Sequence, residues 1–236
     1  MKSVHNGIRL IDDKTPFHVK EAYRLLRANV QFLSPHDGCK VICVSSSIAH
    51  EGKSSVAFNL SSLLSGENTK VLLLDADLRA SYLQENLGLK GKQGLSDILA
   101  GKTGCKDYSS LIRKKEGYPY LDIIVSGKYP PNPSELLASD RMAELLEECK
   151  EHYDYIIIDG TPLCVVSDAL VLSPHIDGFI LVAMAETSSK RMIKNAVSMI
   201  RKINGKVLGF VLTKKRVSGR EKNLYGGYNT YYNTGY

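Results

Sequence analysis

The chain has 236 residues, 43% hydrophobic and 24% charged, and its 31 Lys and Arg against 25 Asp and Glu give a formal net charge of +6. Those figures suit one sizeable α/β domain with tails, and they exclude a membrane-spanning protein, since no apolar run approaches the ~20 residues a bilayer crossing needs and no signal-peptide core opens the chain. The basic residues are spread without an aromatic-basic motif, so no nucleic-acid partner is expected. Five cysteines, Cys39, Cys43, Cys105, Cys149 and Cys164, lack the C-x-x-C spacing of a metal or redox site and read as reduced, mostly buried cytosolic thiols.

Residues 1–14 show no periodicity and are expected to be a loose arm, or one ordered on contact. Thr15-Pro16 then offers a cap and a first-turn proline, and the segment to Leu33 carries Ala22, Leu25, Leu26, Asn29 and Leu33 at helical spacing. Its other face presents Glu21, Arg24 and Arg27. From Lys40 onward, apolar runs alternate with helical stretches. The expected strands are Val41–Ser45, Val71–Asp75, Leu121–Val125, Tyr155–Asp159, Phe179–Ala183 and Val207–Leu212. The expected helices are Ser54–Ser65, Leu95–Ala100, Ser139–His152, Asp168–Ser173 and Ser188–Ile203. Such alternation predicts a mostly parallel sheet sandwiched by helices. After Lys215 the pattern fails, and residues 216–236 form a low-complexity tail in which Tyr225, Tyr228, Tyr231, Tyr232 and Tyr236 stand out as accessible phosphoryl acceptors.

The stretch from Lys40 to Ser55 reads as a strand, a phosphate-cradling loop and a helix start. Gly52 permits close backbone approach, Lys53 supplies an ammonium for phosphate and Ser54 a hydroxyl for Mg²⁺. Ser47 stands where the pattern G-x-x-x-x-G-K-[ST] has its first glycine. Two further apolar runs end abruptly in carboxylates, Leu74-Asp75-Ala-Asp77-Leu-Arg79 and Ile158-Asp159-Gly-Thr-Pro162. Acids at the carboxyl ends of neighbouring parallel strands are where a nucleotide site needs its metal-ordering groups.

These motifs, with Pro130-Pro-Asn-Pro-Ser-Glu-Leu-Leu137, Glu21-Ala-Tyr-Arg24-Leu-Leu-Arg27 and the terminal tyrosine cluster, resemble the bacterial tyrosine kinases of capsular and exopolysaccharide export, in the form where the kinase is a separate cytoplasmic chain. The resemblance covers nearly the whole sequence. It implies the P-loop fold of the deviant Walker, partitioning-ATPase-like group. It also implies an oligomerisation helix in residues 1–38, a kinase domain over 39–215 and a flexible tail over 216–236. The activity implied is ATP- and Mg²⁺-dependent autophosphorylation of tail tyrosines in trans. The partners implied are a ring of copies, by family resemblance an octamer, joined through Glu21, Arg24 and Arg27; the cytoplasmic segment of a membrane-embedded adaptor or polysaccharide co-polymerase; and a cognate tyrosine phosphatase. The location implied is cytoplasmic, at the inner face of the membrane. Where the family usually has Pro-Gly ahead of Glu-Gly-Lys-Ser, this chain has Ala49-His50, and where many relatives have Asn-Lys after the last strand it has Thr213-Lys214.

The site residues follow from the needs of phosphoryl transfer, which are in-line positioning, charge neutralisation and a proton acceptor. Ala49, His50, Glu51, Gly52, Lys53, Ser54 and Ser55 should cradle the phosphates, and the resemblance implies Thr213 near the adenine. Ser54, Asp77 and Asp159 should hold Mg²⁺. Asp75 and Asp77, two residues apart, are expected to project the same way from an extended strand end. One helps hold the metal and the other accepts a hydrogen bond from the phenol, with Asp75 preferred nearer the acceptor. Arg79 steadies the acids or the phosphate. The competing reading is a partitioning-type ATPase switch that passes the phosphoryl group to water, and it shares the same core.

Overall fold

The computed structural model describes residues 8, 10–33, 38–80, 82–89, 93–101 and 108–214. The strands are β1 (Lys40–Ser46), β2 (Val71–Asp75), β3 (Arg113–Lys115), β4 (Tyr118–Ile124), β5 (Tyr155–Asp159), β6 (Gly178–Met184) and β7 (Val207–Thr213). They form one seven-stranded sheet in the order β3-β4-β2-β5-β1-β6-β7. All neighbours run parallel except the β3–β4 hairpin. The helices are α1 (Phe17–Phe32), α2 (Lys53–Leu64), α3 (Tyr82–Asn86), α4 (Leu95–Leu99), α5 (Pro133–Leu137), α6 (Asp140–Lys150) and α7 (Lys190–Lys202).

The three central strands are apolar at nearly every position because both of their faces are covered. Alternation divides their side chains between two cores. Val41, Cys43, Leu72, Leu74, Ile156 and Ile158 pack with Met142, Leu146, Ala196 and Ile200 from α6 and α7. Ile42, Val44, Val71, Leu73 and Ile157 pack with Val30, Val56, Phe58, Leu60 and Leu64 from α1 and α2. Each such leucine or isoleucine withdrawn from water contributes about 1.5–3 kcal/mol before conformational entropy is subtracted.

Strand boundaries agree with the expected ones to within a residue or so, except that β4 begins earlier, at Tyr118. Four short elements carry no periodicity and were not expected: β3, α3, α5 and a 3₁₀ turn at Tyr108–Leu111. β3 is Arg-Lys-Lys, a charged edge strand that exists because Glu116-Gly117 turns it back onto β4, with Gly117 at φ 84°. The helix expected over Asp168–Ser173 is instead a 3₁₀ turn at Leu170–His175, since Pro174 sits inside it and cannot continue an α-helix.

Of the stripe expected to bury α1, only Leu26 faces inward. Ala22, Leu25, Asn29 and Leu33 are exposed, and the inward line is Val19, Tyr23, Leu26 and Val30, which packs against α2. Glu21 and Arg24 form an ion pair within the helix, and Arg27 is exposed. The described part of the arm is docked. Ile8 and Leu10 lie against the α2-side core, and the Ile11 amide donates to Asn59 Oδ1 on α2 at 3.0 Å. Of the cysteines, Cys43 and Cys149 are buried, Cys39 and Cys164 half-buried, and all four are free thiols. Cys105 and the five tail tyrosines lie outside the described residues.

Candidate nucleotide and phosphoryl-transfer site

The site forms where β1, β2 and β5 end side by side. β5 lies between the other two, with Asp159 in register with Asp75 on one flank and with Val44 on the other. Registered residues in parallel strands point to the same face, and here that face is the one α2 covers. The loop leaving β1 therefore opens its helix directly over two adjacent carboxylates.

That loop is stitched in place before any ligand arrives. Ser45 Oγ donates to the Thr161 carbonyl at 2.6 Å, and the amides of Leu163 and Cys164 donate to Ser46 and Ser47 carbonyls, extending the β1–β5 pairing beyond the strands. Gly160 lets the two segments approach, because a Cβ there would lie 2.7 Å from Cys43 Sγ. Glu51 is almost fully buried. Its carboxylate accepts from the Ile48 amide at 2.9 Å and from the Ser188 hydroxyl, so this side chain braces the loop from within. Thr213 Oγ1 donates to the Glu51 carbonyl at 2.7 Å, so the last strand contributes a second brace.

His50 at φ 65° and Gly52 at φ 98° turn the chain into α2 through left-handed conformations. Gly52 has a close neighbour as well, since a Cβ on it would meet the Thr213 methyl at 3.4 Å. No side chain caps α2, which leaves its first-turn amides and the positive end of its dipole available to an anion. Ala49 and His50 are exposed on this turn, Ser55 is half-buried, and Ser54 is buried beside Lys53, whose ammonium lies 3.5 Å from Ser54 Oγ.

Lys53 is the only cation among these buried groups. Its ammonium lies 2.8 Å from Asp77 Oδ2 and 3.5 Å from Asp159 Oδ1. Burial alone pulls the proton affinity of Lys53 down, but the carboxylates of Asp159 and Asp77 outweigh it and hold the group up in its charged form. Asp75 is fully buried; its Oδ1 accepts from the Asp77 amide at 3.2 Å, and its Oδ2 accepts no hydrogen bond among the described residues. Burial first, and then the Asp159 carboxylate, hold Asp75 well above the usual carboxylate range. Burial also raises Asp159, against the pull of Lys53. Neither Asp159 oxygen accepts a hydrogen bond among the described residues.

The extended strand expected to carry both Asp75 and Asp77 stops at Asp75, and Asp77 opens a tight turn in which its Oδ1 accepts from the Ala80 amide at 3.1 Å. Both carboxyl groups nevertheless face the site as expected, Asp77 with its Oδ2 2.8 Å from the Lys53 ammonium and Asp75 in register with Asp159. Arg79 is placed elsewhere than expected. It contacts neither Asp75 nor Asp77 but forms a two-pronged pair with Asp168, its Nε 2.5 Å from Oδ2 and its Nη2 3.0 Å from Oδ1. Asp168, Ser134 and Ser188 were missed as site residues. Ser134 lies within Pro130-Pro-Asn-Pro-Ser-Glu-Leu-Leu137, and the signal at Asp168 is an acid inside the apolar run Val165–Leu172.

Three buried carboxylates against one ammonium leave an excess of negative charge with orphaned oxygens, a donor set suited to a hard divalent cation. No three His, Cys, Asp or Glu side chains among the described residues gather into a metal cage. The orphaned oxygens of Asp75 and Asp159 would fit a hard cation such as Mg²⁺ whose remaining ligands would be phosphate and water.

Fold and site together define a P-loop nucleotide-binding protein, with its acids at the carboxyl ends of a parallel sheet. A family model described as an AAA domain matches residues 39–208. Tyrosine-protein kinase YwqD of Bacillus subtilis is 34% identical over 210 residues, 89% of this chain and 86% of that protein. The kinase domain of Escherichia coli tyrosine kinase ETK superposes with a TM-score of 0.75 at 30% identity, covering 84% of this chain and 78% of that one. A ParA family ATPase from Chlorobium tepidum shares the fold alone, with a TM-score of 0.61 at 20% identity. The chain belongs to the bacterial tyrosine-protein kinases and carries an AAA domain.

Proposed function

We propose that this kinase transfers the γ-phosphoryl group of ATP to Tyr225, Tyr228, Tyr231, Tyr232 and Tyr236 on a neighbouring copy of itself. The observation that carries this reading is the buried Lys53 held between Asp77 and Asp159, beside Asp75 with its unpaired oxygen. The α2 amides and Lys53 bind the phosphates and neutralise charge where it develops. The phenolic oxygen bonds to the γ-phosphorus as the bond to the β–γ bridging oxygen breaks and ADP departs. The phenol proton passes to Asp75, whose raised proton affinity matches a group of unperturbed pKa ~10 better than an ordinary carboxylate does. Ser54, Asp77 and Asp159 would hold Mg²⁺, which would supply charge neutralisation on the triphosphate.

Residues 1–38 serve assembly, 39–215 catalysis and 216–236 acceptance of phosphate. Copies form a ring through Glu21, Arg24 and Arg27 on the exposed face of α1. A membrane-embedded adaptor recruits the ring to the inner face of the membrane, a phosphatase reverses the modification, and the cycle regulates capsular or exopolysaccharide export. Among the described residues no helix is long and apolar enough to cross a membrane.

The test is mixing. Lys53→Met chains with intact tails are combined with active chains ending at Arg220, in Mg-ATP. Phosphotyrosine on the Lys53→Met partner is the expected result. Its absence, with steady release of inorganic phosphate, transfers the reading to a switch that uses water.

A further inference from the structure

Asp168 has no exposed surface, and a carboxylate that deep is costly to bury unless it is paired and hydrogen-bonded. It is fully engaged. Arg79 grips both oxygens, and Ser134 Oγ donates to Oδ1. These contacts outweigh the upward push of burial and keep the Asp168 carboxyl below the usual carboxylate range. The three partners belong to three segments, each following the carboxyl end of a different strand: the turn after β2, the start of α5 after β4, and the loop after β5.

Arg79 is two residues from Asp77, and the turn between them is closed by the bond from the Ala80 amide to Asp77 Oδ1. Wherever Arg79 is anchored, Asp77 is fixed too. We propose that Asp168 is a positioning residue: through Arg79, with Ser134 completing its shell, it locks the Asp77 turn against the β5 segment and so sets the separation of Asp77 and Asp159 that Lys53 and a divalent cation require. Arg79 is then a positioning residue as well, not a group that touches the phosphate. This rests on the phosphoryl-transfer reading of the site.

Alteration of groups that orient metal ligands typically lowers metal affinity or activity about 10–100-fold. The experiment uses the full chain with Arg79→Gln, Asp168→Asn, Ser134→Ala and the double variant Arg79→Gln/Asp168→Asn. For each, the ATP dissociation constant is measured with and without Mg²⁺, the Mg²⁺ concentration for half-maximal phosphotyrosine formation is determined, and a melting curve is recorded without metal. Both single charge variants should lose most of the Mg²⁺ enhancement of ATP binding, by about tenfold or more, while metal-free binding stays within about threefold of the parent. Ser134→Ala should lose less. The double variant, with no unpaired buried charge, should recover much of the lost thermal stability but none of the Mg²⁺ response.

Recovery of both properties in the double variant would reduce the contact to a structural one. Retention of the parent's Mg²⁺ response by Asp168→Asn, with loss only in Arg79→Gln, would show that Arg79 acts on the phosphate directly. A parent that binds Mg-ATP yet forms no phosphotyrosine refutes the kinase reading, and the binding data still decide whether the clamp positions Asp77.

Discussion

Asp75→Asn should make the metal-free protein more stable while abolishing tyrosine phosphorylation. The carboxylate is fully buried beside Asp159 in register on the next strand, and its Oδ2 accepts no hydrogen bond among the described residues. An orphaned buried polar atom costs about 1–3 kcal/mol. Adjacent strands lie ~4.8 Å apart, so repulsion between two ionised carboxylates at an effective dielectric of ~20 adds a similar amount, partly offset by Lys53. Asparagine keeps an oxygen for the Asp77 amide and replaces the second oxygen with a donor. The net gain is about 1–3 kcal/mol, which for a chain of this size is a rise in melting temperature of roughly 2–10 °C. The pH dependence fixes the cause. Folding raises the proton affinity of Asp75, so the parent loses stability as pH rises from the unfolded carboxylate value of ~3.9 towards the raised folded value, and is flat beyond it. The variant lacks the Asp75 share of this loss and keeps only that of Asp159. Its advantage should vanish near pH ~4, where the carboxyl is protonated in both states, and grow as pH rises. Circular-dichroism melts in EDTA across that range give the answer, and saturating Mg-ATP should narrow the gap or reverse it. An asparagine variant that melts at or below the parent at pH ~8 in EDTA would refute the view that the site holds uncompensated charge.

Lys53→Met should eliminate phosphotyrosine formation and also lower the melting temperature by several degrees, because Asp77 loses its ion pair and Asp159 its nearby cation. Immunoblotting and a melt of the same sample check both, and a variant as stable as the parent would mean that Lys53 is not holding the acids. Changing Glu21, Arg24 and Arg27 together to Ala should give monomers by light scattering with the melting temperature unchanged within about 2 °C, since the exposed Glu21–Arg24 pair contributes only ~0.3 kcal/mol to its own helix. An unchanged mass would show that this face of α1 is simply solvated.

The parts of this protein that were legible in the sequence are those whose cause is local. Val71-Leu-Leu-Leu-Asp75 and Tyr155-Ile-Ile-Ile-Asp159 declare themselves because a strand covered on both faces must be apolar throughout, and the acid marks where the sheet ends. The α2 start is legible because glycine, lysine and serine act within one turn. The facing of α1 was not legible: Leu25 and Leu26 are consecutive leucines about 100° apart around the helix, either of which could lead the apolar face, and only the surface of α2 decides that Leu26 turns inward while Leu25 stays 63% exposed. The partner of Arg79 was not legible either, since Asp168 lies 89 residues further along the chain and meets it only because β2 and β5 are adjacent. Adjacency also explains why the site crowds buried acids together. Sheet order places Asp75 beside Asp159, hydrophobic packing on both faces removes the water that would screen them, and a single lysine is left to hold the group together. A protein selected for stability alone would have an apolar or amide side chain at position 75. Retaining a buried, under-compensated carboxylate there makes chemical sense for a site that would take up a divalent cation, whose positive charge would complete what Lys53 alone leaves unbalanced.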